Sequence, residues 1–205
     1  MQQLVILFAK PPRAGAVKTR LIPALGEQGA LSVHQWLLDR TLAIMQQLPA
    51  SLNIQLCLAE SVVKPDGMSH YFFGQWPICL QQGNNLGERL ANAFKSNLAW
   101  ADQVVIIGSD CPVLTADYIL QALSALTKKN DVVIGPAEDG GYVLIGLSRF
   151  IQALFLNMPW STPQLFNETI TQLNNQHVSY HLLTELWDVD IPSDVKRLGR
   201  LRHHD

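Results

Sequence analysis

The run Val104-Val105-Ile106-Ile107-Gly108-Ser109-Asp110-Cys111-Pro112 constrains this chain more than any other. Consecutive β-branched residues without a charge, closed by an abrupt polar stop, predict a strand buried on both faces, as inside a parallel sheet. Asp110 then falls at the strand's carboxyl end, the rim where open α/β sheets bind ligands because the departing loops diverge there. A carboxylate at that rim suits a divalent cation on a phosphate. Pro112 ends the strand, and Thr115 as N-cap with Asp117 in the first turn predicts a helix over Ala116 to Leu126.

The first strand is predicted over the apolar run Leu4 to Ala9, which empties into a loop carrying Lys10, Arg13, Lys18 and Arg20. These clustered cations, with two prolines and Gly15 among them, fit a phosphate-binding loop as well as an ordinary charged surface loop. Neither familiar template applies. Val17 occupies the place of the Walker A glycine before Lys18-Thr19, and no G-x-G-x-x-G follows the strand.

From Glu27 to Leu48 the apolar residues Leu31, Leu38, Leu42, Met45 and Leu48 make a helical stripe, with His34 beside it as a packing residue. Strands are expected at Asn53 to Ala59 and Pro77 to Gln81, with a weakly defined segment from Glu60 to Gln75 between them. The loop Gly83-Asn84-Asn85 to Arg89 then enters a helix, either as a plain turn capped by Asn85 or as a contact for a base or ribose. Another buried strand, Asn130 to Pro136, runs through Asp139-Gly140-Gly141 into the apolar run Tyr142 to Leu147, a hairpin that places Asp139 on the same sheet as Asp110.

Further on, Ser148 to Leu156 reads as a short helix, and a second helix begins with Thr162 as cap and Pro163 at its first position. Val178 to Leu183 reads as a late strand and Val195 to Leu201 as a closing helix, followed by a frayed His203-His204-Asp205 tail. Alternation in Asp188-Val189-Asp190 points both carboxylates the same way if the segment is extended, a cation site or plain capping chemistry.

Composition narrows the function. The 205 residues predict one domain over 1–205, and 48% hydrophobic content supplies a sizeable core. A net charge of -2 with dispersed Lys and Arg gives no footprint for nucleic acid and no membrane patch. Three cysteines without a CxxC pair suggest neither a disulfide framework nor a zinc site, which fits a reducing, cytoplasmic setting. The N-terminal apolar run is too short for a signal peptide or a membrane span.

Several separated motifs then share one order: Phe8-Ala9-Lys10-Pro11 with Lys18-Thr19-Arg20-Leu21, Gly108 to Pro112, Gly135 to Tyr142, Trp160-Ser161-Thr162, and Asp188-Val189-Asp190-Ile191-Pro192. This series resembles the bacterial DUF2064 group of glycosyltransferase-A-like proteins, with molybdopterin and phospholactate guanylyltransferases among their relatives. The resemblance implies a three-layer α/β/α fold with a mixed, mostly parallel sheet, of the nucleotide-diphospho-sugar transferase type. It puts Lys10, Lys18 and Arg20 on phosphates, to which the clustering of cations in the same loop adds Arg13, the loop from Gly83, Asn84 and Asn85 to Arg89 at the base, and Asp110, Asp188 and Asp190 on Mg²⁺ or Mn²⁺. Asp139 becomes the residue that activates or orients an acceptor hydroxyl.

One departure stands out: glycosyltransferases of this type carry a DxD pair whose first acid would fall at Gly108. A lone acid before Cys111-Pro112 looks more like the nucleotidyltransferase branch. Three functions follow as expectations: glycosyl transfer from a nucleotide-diphospho-sugar to a small-molecule acceptor, nucleotidyl transfer with release of pyrophosphate, or non-catalytic nucleotide binding.

Overall fold

A computed structural model describes residues 1–60 and 76–201. The expected segment at Glu60 to Gln75 and the tail after Leu201 therefore lie, apart from Glu60, outside the described residues. Among the described residues seven strands form one sheet in the order β3-β2-β1-β4-β6-β5-β7. They are β1 (Gln3–Ala9), β2 (Asn53–Leu58), β3 (Ile78–Leu80), β4 (Gln103–Ile107), β5 (Val132–Pro136), β6 (Tyr142–Leu147) and β7 (Tyr180–Leu182). All neighbours pair in parallel except β6, which runs antiparallel to both β4 and β5.

Helices cover both faces, giving the three-layer α/β/α arrangement. Strand alternation sorts the side chains between them. Val5, Leu7, Val105 and Ile107 pack with Leu38, Leu42 and Met45 of α1 (Ile22–Gln46) and Ile119, Leu123 and Leu126 of α3 (Ala116–Thr127). Their neighbours Leu4, Ile6, Val104 and Ile106 face the other way, toward Leu90 and Phe94 of α2 (Leu86–Asn97) and Leu173 of α4 (Leu165–Asn175). A third cluster joins Leu21, Val33 and Leu37 to Trp187, Val189 and Leu198, tying the first loop to the C-terminal segment and α5 (Pro192–Leu201).

Two predicted caps hold. Asn85 Oδ1 accepts from the Glu88 amide at 2.9 Å, and Thr115 Oγ1 accepts from the Tyr118 amide at 3.1 Å.

Three local expectations need correction. Helical structure in α1 begins at Ile22, with Gly26 (φ 68°, ψ 171°) breaking it, so the apolar stripe from Glu27 marks only the continuous part. Over Ser148 to Leu156 the chain makes one 3₁₀ turn, Gln152–Leu154, because Ile151, Leu154 and Phe155 are drawn separately into the core. Thr162 does not cap α4: its hydroxyl donates to the Pro159 carbonyl at 2.8 Å, and the helix starts at Leu165 behind Gln164.

Candidate functional site

A cleft of about 1020 Å³ opens at the carboxyl ends of β1 and β4. Because β6 is antiparallel, its amino end lies beside the carboxyl end of β4, with Ile107 opposite Leu144 and the Gly108 amide bonded to the Val143 carbonyl at 3.2 Å. The hairpin bearing Asp139 is thereby brought to the rim that carries Asp110. From β7 the chain continues past the end of β5, where Leu186 and Glu138 exchange backbone bonds with Pro136 and one another. It then crosses to β4, where the Val189 amide donates to the Asp110 carbonyl at 3.0 Å.

Lys18 is the centre of this convergence. Its side chain is only 4% exposed, and its Nζ lies 2.9 Å from Asp110 Oδ1 and donates to the Val189 carbonyl at 2.5 Å. The first loop, β4 and the C-terminal segment thus meet on one ammonium group. Lys18 adopts a left-handed backbone (φ 47°, ψ 42°), a conformation that costs a non-glycine residue about 1–2 kcal/mol. Packing around Asp110 pushes its carboxyl pKa up, but the charge and hydrogen bond of Lys18, supported by His34 and Lys10, outweigh this and hold it below the usual value.

His34 joins the site as a residue that sequence reasoning left without a role. It is 3% exposed, its Nε2 lies 3.0 Å from the Lys10 carbonyl oxygen, and burial pushes its pKa down despite the nearby Asp110 charge. It holds the start of the cationic loop against α1.

The acids separate into two kinds. Asp188 is pushed up to about 7, first by burial and then by the charges of Asp139 and Asp110. Asp190 instead pairs with Arg20, and its amide and that of Ile191 donate to Asp194 Oδ2 at 2.9 and 2.8 Å. Asp139 is exposed, with Oδ1 accepting from the Gly141 amide at 2.8 Å. Gly140 between them has φ +86°, and a methyl group there would overlap the Pro163 carbonyl, so only glycine fits.

Among the described residues no group of three or more His, Cys, Asp or Glu side chains forms a metal cage. The donor set nonetheless suits a hard divalent cation, because Asp188, pushed up by burial and by the charges of Asp139 and Asp110, stands where a cation would relieve the crowded negative charge. Such ions commonly take one or two carboxylates and complete their shell with water and substrate phosphate.

Other expected residues divide. Lys10, Arg20 and Arg89 line the cleft with Lys18. Arg13 lies outside the cleft-lining residues and bonds Glu60 at 3.0 Å. Gly83, Asn84 and Asn85 also lie outside them: the Asn84 amide donates to Glu88 Oε2 at 2.8 Å, Asn85 caps α2, and the Gly83 carbonyl accepts from Arg89 Nε at 3.1 Å. This loop builds the turn that presents Leu86, Arg89 and Leu90 to the cleft.

An aromatic wall completes the cleft. Tyr142 meets Trp160 edge to face at 6.1 Å, and Trp160 stacks on Phe155 at 6.3 Å. Gly87 admits the Trp160 indole, which would overlap any side chain at that position. On the opposite side Arg197 lies 4.2 Å over the Trp187 ring and forks onto both Glu138 oxygens at 2.7 and 3.0 Å. No spacing rule marks these contacts, since each joins elements distant in sequence.

Residues 41–162 match the family model described as an uncharacterized protein conserved in bacteria, DUF2064. The chain belongs to this family. It is similar to a crystal structure from Desulfovibrio desulfuricans G20, provisionally assigned as a nucleotide-diphospho-sugar transferase, with 28% identity and a TM-score of 0.84 over 93% of this chain and 84% of that one. The fold is shared with 4-diphosphocytidyl-2C-methyl-D-erythritol synthase from Anaerococcus prevotii DSM 20548, at 12% identity and a TM-score of 0.61 over 98% and 96% of the two chains. It is shared too with glucosyl-3-phosphoglycerate synthase from Mycobacterium tuberculosis, crystallised with Mn²⁺, UDP and glucosyl-3-phosphoglycerate, at 12% identity and a TM-score of 0.54 over 97% and 75%. No curated protein matches the chain. Among the described residues no helix is long and apolar enough to cross a membrane.

Proposed function

We propose that the protein is a metal-dependent transferase, a single domain over 1–205, that moves a glycosyl group from a nucleotide-diphospho-sugar to a small-molecule acceptor. The observation that carries this reading is the joining of Lys18, Asp110 and the Asp188 segment at the rim of one large cleft. A diphosphate brings several negative charges there, and these must be neutralised while a bond to it breaks.

Arg20, Lys10 and Arg89 line the cleft and bind and orient the phosphates, while the enclosed Lys18 adds a fixed positive charge and holds Asp110 in place. Asp110 and Asp188, with Asp139 beside them, would hold Mg²⁺ or Mn²⁺. When bound, the cation supplies Lewis-acid neutralisation of the diphosphate leaving group. The Tyr142 and Trp160 wall excludes water and offers a flat apolar face to the donor. Asp139, exposed on its hairpin, accepts a hydrogen bond from the acceptor hydroxyl and orients it. Asp190 serves here through Arg20 rather than as an open ligand.

Gly108 favours a second reading. A side chain there would meet nothing within 4 Å, so packing does not demand glycine, and only one acid, Asp110, ends this strand. The same cations would then stabilise the α-phosphate of a nucleoside triphosphate and the departing pyrophosphate. A thermal-shift screen of nucleotide sugars and nucleoside triphosphates, each with and without Mg²⁺ or Mn²⁺, separates the two, because a ligand that binds only the folded state raises its apparent stability. Selective stabilisation by a nucleotide sugar with metal is expected, selective stabilisation by a triphosphate would transfer the proposal to nucleotidyl transfer, and no shift from any ligand would overturn both.

A further inference from the structure

Cys57 and Cys79 face each other across parallel strands β2 and β3 as direct register partners. Both sulfurs lie on the α2 side of the sheet, Cys57 within the cluster of Leu90 and Phe94 and Cys79 packed against it. The two sulfurs are in direct contact, 2.6 Å apart, and all three cysteines are free thiols. Neighbouring strands stand about 4.8 Å apart, inside the range of roughly 4.4–6.8 Å between α-carbons that a disulfide spans. The spacing of these cysteines in the chain carries no motif, so only the strand register brings them together.

We propose that Cys57 and Cys79 form a reversible dithiol–disulfide site that reacts with small-molecule disulfides and fastens edge strand β3 to β2. The two cysteines differ in access. Cys57 is 3% exposed and Cys79 is only half-buried, so an outside reagent meets Cys79 first. The contact with the other sulfur, ahead of burial, pushes the Cys57 thiol up, while the same contact draws the Cys79 thiol below its usual range. Cys79 as thiolate attacks a small disulfide, forming a mixed disulfide and expelling one thiolate, which takes up a proton. Cys57 then loses its proton and attacks the Cys79 sulfur, expelling the second small thiol. Two protein thiols are oxidised to one disulfide while one small disulfide is reduced to two thiols.

The bond would bear on the cleft through Gln81. This residue follows β3, donates from Nε2 to the Cys57 carbonyl at 2.9 Å, and lines the cleft. Cys111 is buried in the cluster on the opposite face of the sheet and takes no part.

The test equilibrates the purified full-length protein with glutathione and glutathione disulfide at rising oxidised fraction, quenches with an alkylating reagent, and reads intact mass and a peptide map. Expected is loss of two hydrogens per chain, a linked Cys57–Cys79 peptide, and full reversal by reduced glutathione. Cys57→Ser should stop at glutathione attached to Cys79, and Cys79→Ser should leave Cys57 unmodified. Should Cys57→Ser fail to fold, Cys79→Ser at the more accessible position still reports. Wild-type protein that keeps both thiols free in fully oxidised buffer, or that accumulates only the mixed disulfide, would overturn the proposal. A disulfide that includes Cys111 would do the same.

Discussion

Lys18 Nζ and Asp110 Oδ1 stand 2.9 Å apart, the lysine almost wholly enclosed and the carboxylate about half open to the cleft. The pair is asymmetric: the cation is committed to the protein, while the anion keeps a free side for a ligand. Neutralising either member leaves the charge of the other uncompensated.

Asp110→Asn should therefore abolish metal-dependent turnover while the fold survives. Lys18→Met should reduce turnover by about 10²–10³-fold, the cost of losing one preorganised charge at a transition state. Steady-state kinetics with the donor found by thermal shift checks both, and a fully active Asp110→Asn enzyme would refute the assigned role.

The acids give stability opposite slopes with pH. Asp188 has a folded pKa of about 7 against an ordinary 3.8, so the folded state holds its proton more tightly and stability falls as pH rises between those values. Asp110 is shifted down, so its contribution is present above the unfolded pKa of 3.8 and is lost as pH falls through the folded value. Urea denaturation of the metal-free protein should show wild type losing stability from pH 5 to pH 8 relative to Asp188→Asn, on the order of 2 kcal/mol. Added Mg²⁺ should recover more at pH 8 than at pH 5. Parallel profiles for the two proteins would count against the acid cluster.

Two glycines should respond differently to alanine. Gly140→Ala meets both a left-handed backbone and the Pro163 carbonyl, and should lower stability by roughly 2 kcal/mol or more, a fall in Tm of about 4–8 °C. Gly108→Ala meets open space and should change stability by no more than about 0.5 kcal/mol. If the donor passes over Gly108, the new methyl group raises KM for it. Calorimetry beside kinetics distinguishes the pair.

Arg20 lies 63% exposed in its ion pair with Asp190, and exposed pairs contribute about 0–1 kcal/mol. Arg20→Gln should leave Tm nearly unchanged and weaken donor binding. Isothermal titration with the donor tests this, with unchanged affinity placing Arg20 outside the phosphate site.

Much of the sheet was legible because buried strands announce themselves. Leu4 to Ala9, Val104 to Ile107 and Val132 to Pro136 are apolar runs with abrupt ends, and the Asp139-Gly140 turn marks the hairpin to Tyr142. Asn85 and Thr115 were readable as caps because capping is local. The misread elements failed for different reasons: the Thr162 hydroxyl turns back locally to the Pro159 carbonyl instead of forward to a helix amide, and the stretch after Ser148 follows the core rather than its own helical preference.

The site shows the same division. Asp110 and the cationic loop stood out by type and position, and the loop from Gly83 carried the right flexibility for a binding contact. Its polar groups instead satisfy Glu88, Arg89 and the start of α2. The Asp188 and Asp190 alternation could not reveal that Arg20 takes up one carboxylate. Nor could composition show that Cys57 and Cys79 share a register, or that His34 supports Lys10.

The reversed direction of β6 has an evolutionary consequence. It brings the tip over 137–141 to the cleft beside Asp110 and Asp188 on a hairpin separate from the elements that carry those acids. The residues proposed to handle phosphate and metal come from the loop after β1, the start of α2, the end of β4 and the C-terminal crossing. A relative could exchange this tip for a longer or differently charged one and acquire a new acceptor while inheriting the donor chemistry unchanged, so divergence among such enzymes should be sought first in that one short hairpin.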